Sequence, residues 1–213
     1  MTLTALRPLV SNPHILSVVV DKEYIGNVSI DDASELGLIA GQDLSQETLA
    51  ELKLRIQQLK YYRDAQRYAD RRLRSTKEVL NYLTHKGCDA ALASKIVERL
   101  GDIGLINNAA FTSAYIHDSL LAKPLSKRGI MQKLKTKGID SQSVAASLAV
   151  SGFDEDQALD AMIERKSRLS QYANNQPKLF RYLLTQGFSY GAIADRIGHP
   201  QSSGRHRGGN LAA

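Results

Sequence analysis

The sequence predicts a mainly α-helical protein. It reads as tandem three-helix repeats, three copies in an elongated array, preceded by a small N-terminal β-hairpin segment. Two observations carry this. The apolar period changes to 3.6 near Ser45 and stays helical to about residue 197. Within that stretch one capped helix, closed by a glycine, returns three times at a nearly constant spacing.

The first 45 residues differ from the rest. Pro8 and Pro13 mark residues 1–12 as a loose lead-in, and the β-branched run at 15–20 reads as a strand. Asp21-Lys22-Glu23 is turn-like, and 24–30 is a second strand, so a hairpin is expected. A short helix over 29–36 ends at Gly37. A long helix then spans about 46–72, with Leu49, Leu52, Ile56, Leu59, Tyr62, Ala65, Ala69 and Leu73 on one face. Lys60, Arg63, Arg67, Arg71 and Arg74 recur at the same spacing as a cationic stripe, mostly arginine. Arginine suits bidentate contacts to phosphate or carboxylate.

The recurring unit follows at 75–87. Ser75 and Glu78 form a capping-box pattern, in which the hydroxyl takes a first-turn N–H and the carboxylate returns to the cap N–H. Val79, Leu80 and Leu83 make the apolar stripe, and Gly87 stops the helix. Aligning Gly87, Gly138 and Gly187, spaced by 51 and 49 residues, brings the caps Ser75, Ser126 and Asn175 into register. The triplets Val79/Ile130/Leu179, Leu80/Met131/Phe180 and Leu83/Leu134/Leu183 coincide as well. A further helix follows each glycine, the first capped by Asp89 and closed by Gly101 and Gly104. Helices over about 108–122 and 154–172 open the later copies. The implied segments are an extension at 1–45, repeats at 46–107, 108–152 and 153–198, and a disordered tail at 199–213 with a weak cationic spot at Arg205-His206-Arg207.

Bulk properties narrow the function. Residues 1–59 carry a net charge of −4 and the remainder +10, a balance suited to an anionic partner such as nucleic acid. Cys88 is the only cysteine, so no disulfide framework or cysteine-based metal site is expected, and a reducing cytoplasmic setting is. Residues 1–10 contain Arg7 and Pro8 and lack a leader's apolar run, and no stretch is long and apolar enough for a membrane span. His14, His85, His117, His199 and His206 are scattered, and no nucleophile elbow, phosphate loop or dinucleotide fingerprint is present. The expectation is a non-enzyme without cofactor or metal.

Several segments together resemble the RecX family of recombination regulators. Ala65 and Tyr68 before Arg72-Leu73-Arg74-Ser75 and Glu78 match its Arg-x-Arg-Ser signature. Gly104-Leu105-Ile106-Asn107-Asn108-Ala109-Ala110-Phe111 with Tyr115 is similar to its second block. There the family usually has an Asp-Asp pair and Phe-Ala, where this chain has Asn107-Asn108 and Thr112. Lys137-Gly138-Ile139 and Gly187-Phe188-Ser189-Tyr190 match the remaining blocks. The resemblance implies a cytoplasmic modulator of the RecA recombinase, lying in the groove of the RecA–single-stranded-DNA filament. Such a modulator inhibits ATP hydrolysis and strand exchange in recombination, DNA repair and the SOS response.

The candidate contacts are Arg67, Arg71, Arg72 and Arg74 in the first copy, and Lys127, Arg128, Lys133, Lys135 and Lys137 in the second. The Arg71-Arg72-x-Arg74 cluster does not recur in the other copies, so it is assigned to function and the cap, stripe and glycine to the fold. Partners are the RecA filament and DNA, single- or double-stranded, with a monomer as the simplest state. Two rival readings stand beside this one. One is a direct nucleic-acid-binding helical repeat protein, although no aromatic stacking platform is apparent in the sequence; the other is a repeat adaptor for a different protein.

Overall fold

The computed structural model describes residues 1–121 and 124–199. The expected tail from Pro200 onward, with Arg205-His206-Arg207, and the entrance residue Lys123 lie outside the described residues. The chain divides into two compact units, Met1–Asn107 and the part from Asn108 onward.

The first unit opens with three strands, β1 (Leu3–Leu9), β2 (Asn12–Val20) and β3 (Glu23–Ser29), in an antiparallel sheet of order β1-β2-β3. The expected hairpin is β2–β3, closed at Asp21 and Lys22, both at positive φ. What reads as a loose lead-in is instead a third strand. Pro8 is tolerated because β1 is an edge strand and its register shifts beside that residue. On the opposite side of β2, Val18 faces Gly26 and Val19 faces Tyr24, so Ile25 is the extra residue of a β-bulge.

The short helix α1 (Ile30–Glu35) is capped by Ser29. The long helix α2 (Gln46–Asp70) follows its own cap at Ser45. α1 and α2 are tied by Arg55, whose guanidinium meets Asp32 at 2.7 Å, Glu51 at 2.9 Å and Glu35 at 3.3 Å.

α2 serves two cores. Its first half buries Leu52 among Leu3, Val18, Val20, Val28, Ala33 and Leu44. Its second half buries Tyr61, Ala65 and Ala69 among Val79, Leu83, Ala93, Ile96, Val97 and Leu100 of α3 (Thr76–His85) and α4 (Ala90–Asp102). The helix is shorter than its periodicity suggests. It stops at Asp70 with Arg71 as C-cap, and Leu73 lies beyond it, exposed. Gly101 does not close α4, which runs through it to Asp102 and turns at Gly104.

The second unit contains α5 (Asn108–Leu121), α6 (Lys127–Thr136), α7 (Ser141–Val150), α8 (Glu155–Ser167), α9 (Ser170–Ala173), α10 (Gln176–Thr185) and α11 (Tyr190–Ile197). The helix expected over 154–172 is two helices, because Leu169 adopts an extended conformation between α8 and α9. One continuous core runs from Phe111 and Ile116 through Leu134, Val144 and Leu159 to Phe180, Leu183 and Ile193. Thr112 and Ser119 are buried in α5 without penalty, since each hydroxyl donates to the carbonyl one turn back, Asn108 at 2.7 Å and Tyr115 at 2.8 Å.

The repeat corner is the same in all three copies. Gly87, Gly138 and Gly187 have φ of 84°, 82° and 92°, a region that glycine occupies without a Cβ clash. The next N–H, from Cys88, Ile139 or Phe188, returns to the carbonyl of Leu83, Leu134 or Leu183, and the glycine N–H bonds Thr84, Lys135 or Leu184. This is the Schellman pairing, completed by burial of the residue after the glycine. Asp89, Asp140 and Ser189 then cap the following helix by accepting from Leu92, Ser143 and Ala192. Cys88 is thus an apolar corner residue. Burial, then the Asp89 charge, pushes its thiol pKa up, away from reactivity.

The second and third copies are joined at their caps. Ser126 is fully buried, accepts from the Gly129 N–H at 2.9 Å and donates to the Gln186 carbonyl at 2.7 Å. Gly129 stands where the first copy has Glu78, and a Cβ there would lie 2.8 Å from the Gln186 carbonyl oxygen. The capping-box glutamate is therefore replaced by the absence of a side chain. Gly129→Ala is expected to destabilise the second unit by about 1–3 kcal/mol through overpacking. Ser126→Ala should lose about 2 kcal/mol through the lost cap and the orphaned carbonyl. Denaturant unfolding followed by circular dichroism checks both, and a Gly129→Ala protein as stable as the parent would contradict the joint.

Candidate functional site

The nine sequence-predicted cations fall into separate groups. On α2, Arg67 turns towards the sheet, lining a groove with Lys60 and Arg63, and pairs with Asp64. Arg71, Arg72 and Arg74 lie at and beyond the end of α2, so the proposed five-residue stripe is not one helix face.

At the approach to α3 each arginine has a different role. Arg71 is exposed and has no hydrogen bond or ion pair among the described residues. Arg72 donates to the Leu73 carbonyl at 2.9 Å and to Glu78 at 3.3 Å, adding a charge partner to the carboxylate that closes the Ser75 capping box. Arg74 lies over the Tyr68 ring, 3.8 Å from its centroid. Tyr68 in turn stacks on Tyr82 with centroids 4.1 Å apart and planes 2° from parallel. Lys86 sits 5.7 Å from the far ring.

The result is a column of cation, two rings and cation across α2 and α3. The sequence reading found no aromatic platform because Tyr68 and Tyr82 lie on different helices, with no shared period to pair them. Such a column favours cations held in fixed positions over a ring quadrupole.

In the second unit the five cations of α6 and its C-cap separate along the helix. Lys127 and Arg128, at its start, line a groove of about 670 Å³ with Asp154, Glu155 and Asp156. Glu155 also accepts the Lys127 backbone N–H at 3.0 Å. That end is nearly charge-balanced.

Lys133 lies at the other end and lines a cavity of about 550 Å³ with Tyr115, Asp118, Arg165, Lys166 and Tyr182. Lys166 is 4.6 Å from the Tyr182 centroid, and Tyr182 packs at 5.4 Å on Tyr172. Burial pushes the Tyr115 phenol pKa up. Lys135 is exposed, and Lys137 is half-buried at the C-cap. Lys166, Arg165 and the tyrosines escaped the sequence reading. Tyr182 nevertheless occupies the repeat position of Tyr82, a coincidence visible once Gly87 and Gly187 are aligned.

Among the described residues no group of three or more His, Cys, Asp or Glu side chains could hold a metal ion. No helix there is long and apolar enough to cross a membrane.

Comparison with known proteins places these features. The family model "RecX, first three-helix domain" matches residues 62–100, which span the second half of α2, α3 and α4. The regulatory protein RecX of Bacillus pumilus is 24% identical over 189 residues, 86% of this chain and 71% of the relative. That of Enterococcus faecalis is 27% identical over 166 residues, 76% and 62% of the two chains. The chain is thus similar to RecX regulatory proteins over most of its length.

Two solved RecX structures agree. The crystal structure of a regulatory protein RecX covers 92% of this chain and 98% of its own at a TM-score of 0.65 and 18% identity, a likeness of fold. RecX from Lactobacillus salivarius is 29% identical, with a TM-score of 0.51 over 66% of this chain and 93% of its own. The RecX-type helical repeats therefore carry the arginine and tyrosine column within the segment that the family model matches. The family is one of regulators.

The column separates two arginines that look alike in sequence. Arg71→Ala is expected to leave unfolding free energy within about 0.5 kcal/mol of the parent. Arg74→Ala should lose about 0.5–1 kcal/mol with its ring contact. Equal stability of the two variants in denaturant titration would remove the column's structural role.

Proposed function

We propose that this chain binds a RecA recombinase filament on single-stranded DNA and restrains its ATP hydrolysis, strand exchange and growth. The observation that supports this reading is the similarity to RecX regulatory proteins, whose family model matches the segment that presents Arg71, Arg72 and Arg74. Arg71 meets the filament as a free charge, while Arg72 and Arg74 present guanidinium groups held by Glu78 and Tyr68. On the second unit Lys133 and Lys135 contribute first, with Lys127, Arg128 and Lys137 beside them. The protein acts as a cytoplasmic monomer. Disassembly of a filament would come from tighter binding to one of its states or from the recombinase's own nucleotide cycle.

A second reading is direct binding to nucleic acid, favoured by the lysines and tyrosines around the 550 Å³ cavity. It predicts binding to bare single strands with a log–log salt slope near −0.7 per phosphate engaged.

Titrating the protein into RecA ATPase assays on single-stranded DNA tests the first reading. Turnover is expected to fall with added protein. Arg71→Ala should require about two- to fivefold more protein for the same inhibition, the scale of one exposed charge contact. Tight binding to bare DNA with ATP hydrolysis untouched would exchange the first reading for the second.

A further inference from the structure

The cavity bounded by α5, α6, α8 and α10 in the second unit measures about 550 Å³, the size of a small-molecule site. Its lining divides by chemistry. Lys133, Arg165 and Lys166 supply positive charge, while Tyr115, Leu125 and the buried Met162 supply apolar surface. Those three cations meet a single carboxylate, Asp118.

Several of these groups lack an internal partner. The Lys133 ammonium, the Asp118 carboxylate and the Tyr115 hydroxyl make no hydrogen bond or ion pair among the described residues. Lys166 rests on the Tyr182 ring, 4.6 Å from its centroid, which holds its charge in place without neutralising it. Burial pushes the Tyr115 phenol pKa up, so its O–H stays available as a donor.

The cations ask for an anion of more than one charge, the Tyr115 wall for a flat apolar body, and Asp118 for a donor. Tyr182 does not serve as that wall, because Lys166 and Tyr172 already pack on its ring. We infer that this cavity binds a free nucleoside triphosphate, with its phosphates on Lys133, Arg165 and Lys166, its base against Tyr115 and Met162, and an amino or hydroxyl group donating to Asp118. Inorganic polyphosphate fits less well, since it leaves the apolar wall wet and brings Asp118 no donor. An apolar monocarboxylate meets the wall but matches one cation of three. Gln186 also lines the cavity, and its carbonyl holds the Ser126 hydroxyl that joins the second and third copies. The bound nucleotide therefore seats against that joint and stabilises the second unit by mass action. The site rests on neither reading of the macromolecular partner.

Isothermal titration calorimetry with the full chain tests it, using ATP, tripolyphosphate and an oligodeoxycytidylate as probes. ATP should bind about tenfold more tightly than tripolyphosphate, the scale of one ring seated on an aromatic wall. The Lys133→Gln/Lys166→Gln variant should bind ATP at least about tenfold more weakly. Tyr115→Phe, which keeps the ring and removes the donor, should weaken ATP about two- to fivefold. Saturating ATP should also raise the melting temperature of the parent and not that of the double variant, with circular dichroism establishing that each variant is folded.

Absence of ATP binding at millimolar concentration would overturn the proposal, as would unchanged ATP affinity in the folded double variant. Equal affinity for tripolyphosphate would reduce the cavity to a plain anion site and overturn it too. Displacement of ATP by oligodeoxycytidylate at lower concentration than ATP itself requires would assign the cavity to a nucleic-acid strand, with the same consequence. These titrations contain no recombinase, so failure here and failure of the recombinase reading show in different assays.

Discussion

The left-handed corner after each capped helix is the constraint on which the helical part of the chain rests. At Gly87, Gly138 and Gly187 the chain must reverse within two residues while satisfying carbonyls that a helix end leaves open. The Schellman pairing meets both demands and buries one residue, Cys88, Ile139 or Phe188, against the helix just completed. The cap of the next helix follows immediately, so the angle between the two helices is set by local backbone geometry. Side chains on the outer faces are then released from structural duty. This is why Leu83, Leu134 and Leu183 are fully buried in every copy while the cations around them differ.

Those parts of the fold written in consecutive residues were legible in the sequence. The Ser75–Glu78 box, the three glycines and the caps at Ser126 and Asn175 depend on contacts three to five residues apart, and each stands where periodicity placed it. Contacts between distant residues left no such mark. Ser126 and Gln186 meet across 60 residues, and nothing in the Ser126 neighbourhood announces its second partner except a glycine where a glutamate would complete a box. β1 was hidden by Pro8, a residue that argues against a strand unless its edge position is known. The break at Leu169 lies inside a pattern whose polar and apolar residues continue to alternate helically.

The candidate surfaces were legible as charge but not as geometry. Counting cations finds Arg67, Arg71, Arg72 and Arg74 in a row, whereas the backbone turns at Asp70 and separates them. Arg67 goes to the sheet-side groove, Arg74 to a ring, Arg72 to a carboxylate, and Arg71 to solvent. In the second unit, Lys127 and Arg128 line a groove with Asp154, Glu155 and Asp156 at the start of α8, a pairing between residues about 28 positions apart that no local pattern announces. A positive stripe in a sequence is thus a mixture of paired, stacked and free charges, and only the last kind is available without rearrangement.

The sharing of α2 between two cores bears on how this architecture can be modified. With 25 residues, the helix is about 37 Å long, and its two halves are covered by different partners. The N-terminal sheet cannot be treated as a detachable appendage. Cutting the chain before Gln46 would leave the first half of α2, with Leu49, Leu52 and Ile56, as an apolar ledge with no cover. Evolutionary loss of the sheet would have to shorten the helix or repaint that ledge with polar residues in the same step. The extension and the first repeat are in this sense a single heritable module, even though only the repeat half carries the family's motif.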